Sequence, residues 1–213
     1  MNLFERIFGA SAKEQDSKKT ADTSESRIAA CIRDKAAVLD LSGLKLKAVP
    51  ESIKDQHQLE GLDLSGNCLT ELPEWILQFQ NLRGLNLCGN RAIKIPILLS
   101  ELPKLQNLNI SQIEHTSNFK VVSKLRALTA LSMEKSNLTE LSPYLQSLVL
   151  LEELYIGDNK IFQLPPWIGE LNHLQELEMW NNQLNSLPPS FSELKVLKIL
   201  RLSGNRFSTL PSV

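Results

Sequence analysis

Leucine recurs at a constant spacing of 23 residues along most of this chain. The series consists of Leu59, Leu82, Leu105, Leu128, Leu151, Leu174 and Leu197, and Ala36 extends it backwards. Eight units result, of which the last is incomplete. A single unit cannot enclose its own apolar residues, so neighbouring units must stack. The spacing therefore predicts a solenoid with one continuous apolar column.

The unit that begins at Leu151 shows the pattern within a repeat. Leu154 and Ile156 alternate with outward residues, which is the period of a short strand. Leu164, Ile168 and Leu171 lie four and three residues apart, which suits a short helical or 3₁₀ turn. Stacked units therefore predict a parallel sheet on the concave face and turns on the convex face.

One position of the repeat holds asparagine in five units, namely Asn67, Asn90, Asn159, Asn182 and Asn205. An inward amide at this point can bond backbone groups that would otherwise be buried without partners as the chain leaves the strand. We predict a structural asparagine ladder.

These residues resemble the leucine-rich repeat superfamily. The ending Leu-Pro-x-x-Ile-x-x-Leu, seen at residues 164–171, is similar to its intracellular 23-residue class of Ras-associated and plant Ras-group type. The resemblance covers residues 36–213, about eight repeats. It implies an α/β solenoid, a horseshoe with a parallel concave sheet and convex short helices or 3₁₀ turns. It also implies a non-catalytic scaffold that binds proteins, without naming the ligand.

Three segments precede the repeats. Residues 1–9 place apolar groups on one side of a short amphipathic helix, which would either anchor the chain to a membrane surface or partner groove, or fold back on the scaffold. Residues 10–21 are polar and predict a disordered linker. Residues 22–35 predict an N-terminal cap helix with a capping box from Asp22 to Glu25 and an apolar side that includes Ile28, Cys31 and Ile32.

Charge and cysteine content narrow the class of function. The 23 basic residues nearly balance 24 acidic ones, so nucleic acid is not an expected partner. Cys31, Cys68 and Cys88 show no paired pattern and predict free thiols in a reducing compartment, with the cytoplasm as the expected location. There is no run of eighteen apolar residues, so no integral membrane association is expected.

Motifs of catalysis and cofactor binding are missing from the sequence. The three histidines lie in different repeats, and no Cys-x-x-Cys pair accompanies them. The glycines recur before the ladder asparagines and do not form a phosphate-binding loop or a nucleophile elbow. We therefore expect no enzymatic activity, no metal and no cofactor.

Outward strand positions of the C-terminal half form the first candidate surface for a protein partner: Glu134, Glu153, Tyr155, Glu176, Glu178, Trp180 and Arg201. Aromatic residues and arginine ringed by charge are typical interface anchors. Because Gly157 and Ser203 flank Trp180 on the adjacent strands, its ring is expected to be uncovered. The alternative is that Trp180 and Tyr155 simply stack on the sheet.

A second candidate surface is a column of apolar residues on the convex side: Trp75, Leu98, Val121, Tyr144 and Trp167. Neighbouring turns either cover this column or leave it as an exposed apolar ribbon.

Two units depart from the repeat pattern. The unit that begins at Leu105 has Ile113 in place of the ladder asparagine and Asn118-Phe119 in place of Leu-Pro, which predicts a different turn, either a binding loop or a tolerated irregularity. The last unit stops after Leu210 without a cap, which predicts a homodimer through this uncapped repeat or fraying of it.

The leading interpretation is a scaffold that binds a protein on the concave face of its C-terminal half. The alternatives are the recognition module of a bacterial virulence-type effector and a self-associating structural module.

Overall fold

The computed structural model describes residues 23–114 and 119–208. The predictions for residues 1–9, for the linker at 10–21 and for the chain after residue 208 lie outside the described residues. In the described part, one sheet holds eight strands in sequence order. The strands are Val38–Asp40, Gly61–Asp63, Gly84–Asn86, Asn107–Asn109, Ala130–Ser132, Glu153–Tyr155, Glu176–Glu178 and Ile199–Arg201, here β1 to β8.

Each strand pairs in parallel with the next, and paired residues are separated by one repeat length, as in Leu131 with Leu154. The middle residue of strands β2 to β7 is a leucine with at most 2% of its surface exposed. The first and third residues of each strand face the other way, as the period of two requires. The predicted α/β solenoid and its parallel concave sheet are confirmed.

Short turns return the chain on the convex side. Six are 3₁₀ helices: Glu51–Ile53, Glu74–Gln78, Ile97–Glu101, Pro143–Ser147, Pro166–Glu170 and Pro189–Glu193, here η1 to η6. The irregular repeat instead forms a short α-helix, Phe119–Val122. The step from an apolar residue to proline that precedes five of the six 3₁₀ turns is missing there, and Ile113 fills the ladder position as a buried apolar side chain.

The asparagine ladder bonds successive turns together. The Asn159 side-chain oxygen accepts the N–H groups of Ser136 and Leu138, each at 3.0 Å. Its Nδ2 donates to the carbonyl oxygens of Met133 and Ile156, also at 3.0 Å. The amide thus satisfies backbone groups of two neighbouring repeats, as the sequence predicted.

The N-terminal helix α1, Ser24–Asp34, covers the first repeat with Ile28 and Cys31. Its N-cap is Thr23, whose hydroxyl accepts the Ser26 N–H while the Ser26 hydroxyl accepts the Thr23 N–H. The predicted capping box from Asp22 to Glu25 was wrong by one residue, because both pairs offer the same spacing of polar groups. Ile32 was also expected on the covered side and is 45% exposed.

The residue before the ladder position has a left-handed backbone in every repeat, with φ between 50° and 75°. The eight residues are Gly43, Gly66, Gly89, Gln112, Lys135, Asp158, Asn181 and Gly204. Four consecutive repeats therefore place a side chain where glycine is the least strained residue.

The last described strand leaves its apolar residues partly uncovered. Ile199 is 40% exposed and Leu200, at the core position, is 37% exposed. No strand among the described residues pairs with the far side of β8. Pairing of two copies through this end stays a prediction.

Candidate partner-binding surface

In the N-terminal half, the concave polar side chains are committed to the fold. The Oδ1 atoms of Asp40, Asp63, Asn86 and Asn109 each accept the backbone N–H two residues further on, at 2.8–3.1 Å. Asn86 also donates to the second oxygen of Asp63. Burial raises the pKa of Asp63. These side chains close the ends of their own strands and offer few free groups to a partner.

In the C-terminal half, long side chains crowd together on the concave face. Tyr155 and Glu178 were expected to be exposed, yet they are only 6% and 8% exposed. Strands about 4.8 Å apart bring large neighbouring side chains into contact, so part of the set forms a lower layer. Glu134, Glu153, Glu176 and Trp180 are half-buried, and Arg201 is exposed.

Tyr155 and Glu178 hold this layer in place by hydrogen bonds. The Tyr155 hydroxyl donates to Glu153 Oε2 at 2.8 Å. Arg201 Nη1 donates to Glu178 Oε1 at 2.6 Å across the β7–β8 pair. Burial, together with the bond to Glu153, raises the pKa of Tyr155 far above its ordinary value, so the phenol remains a donor.

Two carboxylates of the same strand stand side by side. Glu176 and Glu178 are two residues apart on β7 and therefore share a face. Burial and then the neighbouring Glu178 raise the pKa of Glu176, while Tyr155 and Arg201 act in the opposite direction. The charged form of Glu176 is therefore disfavoured where it stands, so a further positive charge near Glu176 would be favourable.

The Trp180 ring lies across Gly157 of the adjacent repeat. A methyl group added at Gly157 would overlap the indole ring. Burial raises the pKa of Glu134, two repeats away, while Lys135 and the Trp180 side chain act in the opposite direction. The prediction of an uncovered ring was wrong in part: one face rests on the sheet, and the side chain is half-buried.

Comparison with known proteins agrees with this geometry. A leucine-rich repeat family model matches residues 149–207, and a second one matches residues 58–79. Both segments are thus similar to leucine-rich repeats. Proteins built from them typically mediate protein–protein interaction through their extended concave surface. No curated protein matches the chain significantly.

Two solved structures illustrate the likeness. A leucine-rich repeat protein of Leptospira interrogans is 27% identical, with a TM-score of 0.61 over 86% of this chain and 59% of that one. The chain thus spans less than two thirds of that protein. Internalin C2 of Listeria monocytogenes is 23% identical, with a TM-score of 0.62 over 78% of this chain and 80% of that one, and shows the fold alone.

On the convex side of the solenoid, the predicted apolar column is mostly covered. Trp75, Leu98, Val121 and Trp167 are half-buried and pack against the core. The Trp75 and Phe79 rings meet edge to face with centroids 5.9 Å apart. Tyr144 differs, with 53% of its surface exposed. The column is therefore not a continuous exposed ribbon.

A polar rim beside Trp180 was not predicted from the sequence. Asn181 Nδ2 donates to Asp158 Oδ1 at 3.1 Å, and Lys135 Nζ lies 3.8 Å from Asp158 Oδ2. All three residues occupy the left-handed position of their repeats, which directs them along the same edge of the concave face. The sequence carried one signal for this rim: these repeats have non-glycine residues at a position that holds glycine in other repeats.

The described residues offer no cluster of three or more His, Cys, Asp or Glu side chains that could hold a metal. Within that same part of the chain, no helix has the length and apolar character needed to cross a membrane. Cys31, Cys68 and Cys88 are free thiols.

Proposed function

We propose that this leucine-rich repeat chain is a non-catalytic scaffold that binds a basic segment of a protein partner on the concave face of repeats five to eight. The observation that carries the proposal is the crowded pair Glu176 and Glu178 next to the half-buried Trp180 ring. A lysine or arginine of the partner would relieve the repulsion between the carboxylates and stack on the indole.

Charge on this surface favours the same kind of partner. Glu134, Glu153, Asp158, Glu176 and Glu178 outnumber the two basic residues that lie among them, Lys135 and Arg201. Arg201 is already engaged by Glu178, at 2.6 Å. Opposite charge on the partner would speed association and select against acidic competitors.

The layered packing supports a division of roles. Trp180, Glu134, Glu153 and Glu176 would touch the partner, while Tyr155 and Glu178 would hold them in position from below. Rigid aromatic groups surrounded by ordered neighbours lose little freedom when a partner binds.

Two finer points belong to this proposal. The Leu-Pro-x-x-Ile endings support the intracellular 23-residue class, and the three free thiols support the cytoplasm as the compartment.

Selection of short random peptides displayed on phage, with the purified chain as bait, tests the concave site. We expect peptides rich in Lys and Arg that lose at least about tenfold in affinity when Trp180→Ala or Glu176→Lys is the bait. Glu140→Lys is the matched control, since Glu140 is exposed on a turn away from the concave strands. Basic peptides that bind all three variants equally, or a lack of basic peptides, would contradict the proposal.

A further inference from the structure

A polar groove of about 530 Å³ lies on the convex side between the turn of the irregular repeat and η4. Its lining includes Lys124, Arg126, Tyr144, Gln146 and Glu170, and we call it the Tyr144 groove. It opens where the short α-helix Phe119–Val122 replaces the 3₁₀ turn that other repeats have. It shares no lining residue with the concave surface.

Two cations of the Tyr144 groove are unused within the fold. Among the described residues, neither Lys124 nor Arg126 forms a side-chain hydrogen bond or an ion pair, and both are exposed. The one acid of the lining, Glu170, instead accepts a hydrogen bond from Gln146 at 2.7 Å. The groove therefore offers two positive charges that the protein itself does not engage.

The walls of the groove are held together by hydrogen bonds. The Ser147 hydroxyl lies 2.9 Å from the carbonyl oxygen of Ser123 and 3.0 Å from that of Tyr144. These contacts link the end of the irregular turn to η4. The shape of the groove is thus set by the fold before any ligand arrives, which lowers the entropy cost of binding.

Tyr144 adds an exposed aromatic surface to the cationic wall. It is the one member of the convex column that is largely exposed, whereas Trp75, Leu98, Val121 and Trp167 pack against the core. An aromatic ring beside two cations suits a chain that carries carboxylates together with apolar groups.

We propose that the Tyr144 groove is a second docking site, which binds an acidic segment of a protein partner. Lys124 and Arg126 bond the carboxylates of that segment, and Tyr144 packs against its apolar atoms. The segment it binds has the opposite charge to the one proposed for the concave surface. The inference does not depend on the concave proposal.

Fluorescence anisotropy of labelled poly-L-glutamate, titrated with the full chain, tests this docking site. We expect saturable binding that weakens at high salt and loses at least about tenfold in affinity in the Lys124→Glu/Arg126→Glu variant. Tyr144→Ala should weaken binding as well, without changing the slope of the salt dependence. Lys94→Glu/Lys160→Glu changes the net charge equally at exposed positions outside the groove and should bind as the wild type does.

Three results would overturn the proposal. They are no binding of poly-L-glutamate, equal losses in the groove variant and the matched control, and tighter groove-dependent binding of a single-stranded oligonucleotide than of the polypeptide. The basic peptides selected by the concave face should bind the Lys124→Glu/Arg126→Glu variant at least as well as the wild type. Failure of one site is therefore distinguishable from failure of the other.

Discussion

The indole ring of Trp180 rests on Gly157 so closely that no other residue fits at position 157 without moving the ring. A large aromatic side chain in one repeat thus depends on the absence of a side chain at Gly157 in the neighbouring repeat. The missing side chain at Gly157 therefore decides how close the indole ring lies to the backbone of that repeat.

We predict that Gly157→Ala lowers the free energy of unfolding by about 1–3 kcal/mol, because the new methyl group overpacks the ring. In a Trp180→Ala background the same substitution should cost far less, since the obstructing ring is gone. Urea denaturation of the two single variants and the double variant measures this coupling. Additive losses would mean that the ring does not lie on Gly157.

Loss of a ladder asparagine side chain should destabilise the chain more in the middle of the repeat array than near its end. Asn159→Ala removes the side-chain partner of five backbone groups and should destabilise the chain by about 2 kcal/mol or more. Asn205 is only half-buried, so Asn205→Ala should cost less. Chemical denaturation checks the order, and a larger loss for Asn205→Ala would contradict it.

Substitutions at the left-handed position before the ladder residue should have opposite effects on stability in different repeats. Gly89→Ala should destabilise the chain by about 1–2 kcal/mol, because its φ of 75° disfavours a side chain and its Cβ would lie 3.4 Å from the Gly66 Cα. Gln112→Gly should be neutral or stabilising by up to about 1 kcal/mol, because the strain at its φ of 58° is relieved. Thermal melting compares the two, and a destabilised Gln112→Gly would show that the Gln112 side chain contributes more than this strain costs.

Stability should depend on pH through Glu176. Burial and the adjacent Glu178 raise the folded-state pKa of Glu176 above its ordinary value of 4.5. The folded state therefore holds this proton more tightly, so the stabilisation is present below pH 4.5 and is lost as the pH rises through the raised pKa. Glu176→Gln should raise Tm at neutral pH, and this gain should shrink toward acid pH. Melting across a pH series, with Glu140→Gln as the control, checks it. A gain that persists at acid pH would point to another cause.

The repeat architecture could be derived from the sequence because its evidence is repeated many times over. A leucine spacing of 23, strand alternation at Leu154 and Ile156, and a recurring asparagine each report the same geometry in several repeats. In a stacked array every repeat meets neighbours of its own kind, so local pattern and tertiary contact agree. The cap helix α1 was also found, although its N-cap was shifted by one residue.

Only the tertiary structure decided which outward side chains remain available. Periodicity assigns Tyr155, Glu178 and Trp180 to one face, but it does not say that the first two form a lower layer or that the ring lies on Gly157. Those facts depend on the rotamers of large side chains that compete for the narrow space between adjacent strands. The same holds for the Tyr144 groove, which arises from packing between two unlike turns, whereas the period of a repeat describes only what its units share.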